Sequence, residues 1–309
     1  MNSIFIENKD INTKRPDKFC LAFLVFMTSI QGLIFSQKIV APDCYLYPVT
    51  LVDSLSDDVR ENSGLVWYRQ KLWTFNDSGG DPEIYALDSK SGKILQTVVF
   101  VNANNFDWED IAQDSSFIYT SDSGNNFNFR RRLTIYKVKK RRIPGKRKLA
   151  YVSAFKIHYT YEGRKDFSFN MGKTSFDCES LFAMGDSLYV LTKDWKNKVT
   201  ELYSLSKIKH RQIARCVGRF NSKGLITGAD ISPDGKTVIL CGITGGIPFI
   251  WVLQDFQGGN IFSGTARRYL FPVLKGIQME GIAFSGNHHI FLSAEKTSVP
   301  ARLYSLDLP

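Results

Sequence analysis

The chain has 309 residues, is 43% hydrophobic and 13% aromatic, and carries a formal charge of +10. That composition excludes a disordered or collagen-like chain and supplies a large core, in one or two domains by length alone. The basic excess is local: residues 130–148 hold eleven Lys and Arg and no acid, which reads as a solvated hairpin or a docking surface for an anionic ligand, and no recognition helix accompanies it to suggest nucleic acid.

The first element is a leader. Lys9, Lys14, Arg15 and Lys18 precede an apolar run from Phe19 to Phe35, closed by Ser36 and Gln37. A charged n-region, an apolar h-region and a small-residue exit form a secretory signal peptide over residues 1–36, leaving residues 37–309 as the mature domain in the periplasm or outside the cell. Left uncleaved, the same run is an anchor, and it is the one membrane attachment the sequence suggests. Cys20 opens the run instead of closing it, which argues against lipidation. Export exposes Cys44, Cys178, Cys216 and Cys241 to an oxidising compartment. They are read either as two disulfides, in any of three connectivities, or as buried free thiols.

After the leader, one unit recurs five times. Glu61–Trp67 is followed by Lys71–Gly80, Glu109–Asp114 by Phe117–Asn126, Glu179–Met184 by Ser187–Asp194, Asp230–Gly235 by Thr237–Gly242, and Glu280–Ser285 by His289–Glu295. Each is an acid, a short apolar strand, a turn and a second β-rich strand. The leading acids lie 48, 70, 51 and 50 residues apart, the pitch of a four-stranded propeller blade. The expectation is an all-β chain forming a single β-propeller of five blades of four antiparallel strands. Six blades is the alternative, since the 70-residue interval has room for a degenerate one. The last blade is short of strands, and Cys44–Leu51 is expected to close the ring by pairing with it.

Antiparallel pairing places the start of each blade's first strand and the end of its second at the same rim. The starts carry Glu61, Asn62, Glu109, Glu179, Asp230 and Glu280; the ends carry Asn76, Asp77, Asp122, Asn125, Asn126, Lys193, Asp194 and Glu295. Asp107 and Asp177 sit two residues before Glu109 and Glu179, so each pair shares a strand face. Crowded carboxylates repel unless some are protonated or share a cation. Hard oxygen donors without His suit Ca²⁺ better than zinc. The bland alternative is that these acids cap strands.

The segments Glu61–Leu65, Asn76–Gly79, Asp107–Ala112, Asp122–Asn126 and Ile226–Ser232 resemble an exported Bacteroidetes-type β-propeller family. More distantly they are similar to phytase-related esterase-like and gluconolactonase/paraoxonase-like propellers. The distant resemblance implies channel-bound Ca²⁺, with Glu61, Asn76, Asp107, Glu109, Asp122, Asn125, Glu179 and Glu280 as metal or channel ligands, and hydrolysis of a phosphoester or lactone. Lys193 apart, the sequence lacks the Lys/Arg set beside the acids that a phytase needs. Two functions compete. One is a binding module for an anionic, glycan or protein ligand, helped by Trp67, Trp73, Trp108 and Trp195. The other is a Ca²⁺-dependent ester or phosphoester hydrolase with Glu109 or Glu179 as general base and Lys193 stabilising anionic charge.

Overall fold

Runs of β-branched and aromatic residues broken by Gly, Asn and Asp turns build strands throughout the described residues. The computed structural model describes residues 38–39, 43–45, 48–170 and 174–309, so the leader expected over 1–36 lies outside the described residues. Three single-turn 3-10 segments, at Asp57–Val59, Lys140–Arg142 and Pro272–Leu274, are the helical content among the described residues. No helix there is long and apolar enough to cross a membrane.

Three short strands open the chain: β1 (Lys38–Ile39), β2 (Cys44–Tyr45) and β3 (Thr50–Ser54). The first meander is β4 (Asn62–Tyr68), β5 (Lys71–Asn76), β6 (Glu83–Leu87) and β7 (Ile94–Phe100). The second is β8 (Trp108–Gln113), β9 (Phe117–Asp122), β10 (Leu133–Lys139) and, past an inserted β11 (Leu149–Val152), β12 (Phe155–Tyr161). The third is β13 (Asp177–Met184), β14 (Ser187–Lys193), β15 (Thr200–Ser206) and β16 (Arg211–Phe220). The fourth is β17 (Leu225–Ile231), β18 (Val238–Thr244), β19 (Ile247–Gln254) and β20 (Thr265–Leu270). The last is β21 (Met279–Phe284), β22 (His289–Ala294) and β23 (Arg302–Asp307), completed by β3, which pairs antiparallel with β23.

Hydrogen bonding groups these strands into four sheets. The second and third meanders merge into eight strands because β12 pairs in parallel with β16. The first strands touch in cyclic order: β4 with β8, β8 with β13, β13 with β17, β17 with β21, and β21 with β4. Five apolar clusters fill the spaces between successive meanders in the same order. Between the first two, Trp108 is fully buried and packs edge-on against Phe75, with ring centroids 5.5 Å apart, and beside Phe100 and Tyr136. Burying each such ring stabilises the fold by roughly 2–3 kcal/mol.

One buried carboxylate links three meanders. Asp110, next to the pairing irregularity in β8, accepts the N–H groups of Ile111 at 2.8 Å, Leu181 at 2.7 Å and Ala229 at 3.3 Å. Gly64 gives it room: a β-carbon there would stand 2.6 Å from Asp110 Oδ1, and its φ of +62° suits glycine.

Three sequence expectations change. The strand before Glu61 that pairs with β23 is Thr50–Ser54, which shares only Thr50 and Leu51 with the expected Cys44–Leu51; Pro48 has no N–H for a ladder and separates it from β2, which pairs with β20. The interval between Glu109 and Glu179 contains no further four-strand meander among the described residues: β11 leaves its neighbours to pair with β7. Residues 130–148 are therefore not a hairpin. They run through β10, the 3-10 turn at Lys140–Arg142 and the crossover to β11, with Lys137 bonded to the Lys207 carbonyl and Lys140 to Gln113 Oε1. Cys178, Cys216 and Cys241 are free thiols.

Candidate metal centre

The pairing of each first strand with its second is interrupted once, near its start. The extra residue is Glu109 in β8, Glu179 in β13, Thr227 in β17 and Glu280 in β21, and β4 carries an extra residue between Ser63 and Val66. A bulge re-aims the side chain it carries. Here it gathers carboxylates from strands far apart in sequence.

Ligand oxygens of Asp77, Asp107 and Glu109 lie within 4.8 Å of one another, as do those of Glu109, Asp177 and Glu179. Glu109 is common to both groups. Lys193 Nζ lies 2.8 Å from Glu179 Oε2, and its field comes mainly from Glu179, Glu280, Asp177 and Glu109. Burial by itself lowers the Lys193 pKa, but these carboxylates outweigh it and the net direction is up. Asp177 is tied down: Oδ1 accepts the Asn125 N–H at 2.7 Å and Oδ2 the Trp195 indole at 3.3 Å.

The carboxylates hold one another's protons. Burial, then Glu179 and Asp77, pushes Glu109 well above the usual range, and burial does the same to Glu179 against the pull of Lys193. Burial and neighbouring Asp107 raise Asp77 to about 7, with Ser78 holding it back; burial raises Glu280 to about 8 against Lys193. Asp107 and Glu295 also move up, mainly by burial.

Hard-cation chemistry fits the Asp77–Asp107–Glu109 group. A β-carbon at Gly124 would overlap Glu109 Oε1 and Asp107 Oδ2, so glycine leaves the space in which these oxygens converge. Glu179 is 4% exposed, and its Oε1 is buried without a hydrogen-bond partner. The Lys193 ammonium already occupies the other side of the cluster, which leaves the Asp77 side for a metal.

Other predicted ligands are spent elsewhere. Glu61 stands at the rim, half exposed, with Arg60 at 3.9 Å, and the irregularity of β4 falls beyond it, between Ser63 and Val66. Asp230 lies three residues past the β17 bulge and accepts the N–H groups of Phe284 and Ile231, so it caps strands away from the cluster, and Thr227 takes the acid's slot. Asn76 binds the Glu61 N–H and the Asp58 carbonyl, and Asn62 the carbonyls of Val59 and Ala294. Asn125 receives the Arg130 N–H and donates to the Phe176 carbonyl. Asp122 is ion-paired with Arg130 at 2.6 Å, and Asp194 closes a turn through the N–H groups of Lys196 and Asn197. Asn126 lines a neighbouring cleft. Trp73 and Trp108 are core. The sequence reading missed Gly124, Asp110 and the Thr227 slot. The Asp110 signal was there, a second acid directly after Glu109 in the same short strand. From this placement Glu61→Gln should leave stability within about 0.5 kcal/mol of the parent in a denaturant titration.

No protein-family model and no curated protein matches the chain. Among solved structures it is similar to an exo-β-1,3-galactanase from Clostridium thermocellum, at 15% identity and a TM-score of 0.49 over 84% of this chain and 63% of that one. It is similar to a chain of a nidogen/laminin complex, at 15% and 0.43 over 80% and 76%. A third likeness is Kuenenia stuttgartiensis hydrazine synthase, at 14% and 0.40 over 78% of this chain; the chain spans 57% of that relative's length. Likenesses at this level say nothing of activity.

Proposed function

We propose that the chain is an exported, five-bladed β-propeller that binds its ligand at an acidic central mouth holding Ca²⁺. The observation that carries this is the convergence of Asp77, Asp107 and Glu109, from two different meanders, within 4.8 Å at a glycine-lined space. The cyclic contacts of the first strands support the ring, and the basic, then apolar residues 9–35 support export. Asp77, Asp107 and Glu109 would hold the ion. When bound, it supplies a positive centre that lets these carboxylates ionise together and offers open positions to ligand oxygens. Glu179, neutralised by Lys193, borders the site.

Stability measured in Ca²⁺ and in EDTA tests this. A Ca²⁺ concentration a hundred times the dissociation constant should add about 2.7 kcal/mol. Glu109→Gln should remove most of that gain, whereas Glu61→Gln should keep it. Identical unfolding curves in Ca²⁺ and EDTA would overturn the reading.

A second reading, a Ca²⁺-dependent ester or phosphoester hydrolase, is favoured by the unpartnered Glu179 Oε1 and by burial, which raises the pKa of Glu179 and Glu109 and so strengthens each as a proton acceptor. A panel of phosphoesters and lactones assayed with Ca²⁺, and with Glu179→Gln as control, separates it from a binding module.

A further inference from the structure

A cleft of about 1030 Å³ opens beside the mouth and shares Asp107 and Ser78 with it. It runs outward along one row of the second meander, where Trp108 pairs with Asp122, Asp122 with Thr134, and Thr134 with His158. At roughly 4.8 Å per strand, the row from β8 to β12 is about 14 Å long, enough for more than one ring.

Its two ends differ in chemistry. The inner end offers the Asp107 carboxylate and Ser78, acceptors for hydroxyl donors. Toward the outer end stand Arg131, Arg132 and Lys156, none paired with a carboxylate among the described ion pairs. Arg132 and Lys156 both press on His158, whose pKa falls through burial and their charge. Between the ends lies an aromatic ledge. Phe106 is 65% exposed and Phe129 54%, and Phe127, 39% exposed, stacks on Phe129 and on Phe169 with centroids 6.4 and 5.4 Å apart. Trp195 closes the side next to Lys193. Exposed rings in a cleft with polar ends are not packing the core.

We infer that this cleft binds an acidic oligosaccharide, its sugar rings on the Phe106–Phe127–Phe129 ledge, its carboxylates on Arg131 and Arg132, and a hydroxyl-bearing end toward Asp107. An acidic peptide would bring an extended backbone to the ledge, with no sugar ring face to lie on Phe106 and Phe129. A single small anion would leave the ledge unused. The inference deepens the proposed function by naming the ligand class of the mouth's outer approach, and its anionic and stacking contacts do not pass through the metal.

Calorimetry with the full chain, in Ca²⁺ and separately in EDTA, tests it. The probes are tetramers of galacturonate, guluronate and glucuronate, the fully methyl-esterified galacturonate tetramer, inorganic phosphate and AMP. At least one acidic tetramer should bind, and the galacturonate tetramer should bind ten times or more tighter than its ester. R131A/R132A should erase that preference with an unchanged melting temperature, since both side chains are on the surface. F127A/F129A should weaken acid and ester alike, by fivefold or more. Equal affinity for acid and ester, AMP or phosphate binding more tightly than every tetramer, or no binding by any tetramer would overturn the inference. Acidic-sugar binding in EDTA without any Ca²⁺ stabilisation would instead sink the metal reading alone. Ca²⁺ stabilisation without sugar binding would sink this one alone.

Discussion

Asp110→Ala should lower the unfolding free energy by on the order of 4 kcal/mol, among the largest single-site losses available in this chain. The substitution leaves the N–H groups of Ile111, Leu181 and Ala229 without their acceptor, all three on buried or interior strands of three meanders. Each buried orphan costs roughly 1–3 kcal/mol, and the cavity left by the carboxyl adds to that. Burial pushes the Asp110 pKa well up while the three donors pull it back, so the group is a balanced acceptor and not a free charge. Asp110→Asn keeps one acceptor oxygen and should lose clearly less. A shift in the urea midpoint without a change in slope would show that the loss is one of stability. A cost under 1 kcal/mol for the Ala variant would mean that this link does not hold the meanders together.

In EDTA, stability should fall as pH rises from about 4 to 8. Asp77 moves from 3.8 to about 7, Asp230 from 3.8 to about 7 and Glu280 from 4.5 to about 8, and Asp107, Glu109, Glu179 and Glu295 also move up. A carboxyl with a raised folded pKa binds more protons folded than unfolded throughout this window. Its contribution is therefore complete below the unfolded value near 4 and is lost as pH passes the folded value. A shift of about three units corresponds to on the order of 4 kcal/mol for one group, and shared protons make the cluster's total smaller than the sum. Ca²⁺ should flatten the curve, because the ion stabilises the ionised carboxylates that repel one another without it, and its affinity should rise with pH as protons leave. Melting temperatures at pH 5, 6, 7 and 8 with EDTA and with Ca²⁺ make the comparison. A stability that climbs with pH in EDTA would contradict the assignment of mutual repulsion to these acids.

Much of this was legible in the residues. Apolar strands of period two, turn residues between them and recurrence at intervals of 48, 70, 51 and 50 residues announce β-meanders. Asp107, Glu109, Asp177 and Glu179 announce acids on one strand face, because alternation is a local property. Glu61 and Asp230 were misplaced because the re-aimed side chain is the one at the bulge: Glu61 precedes β4 and its irregularity, Asp230 lies three residues past the β17 bulge at Thr227, and a bulge has no composition of its own. The basic run at 130–148 was likewise misread, because a strand that leaves its own meander to pair with β7 looks locally like one that turns back.

Strand content, the repeat, the basic and then apolar composition of residues 9–35 and the supply of carboxylates are written in the residues alone, since each depends on neighbours within a few positions. Which acids meet depends on the folded chain. Gly124 beside Glu109 and Asp107, Lys193 against Glu179, and Asp110 across to Leu181 and Ala229 join positions 14 to 119 residues apart. The first two come from the bulged register of single hairpins and the last from the packing of successive meanders, and no local pattern encodes either.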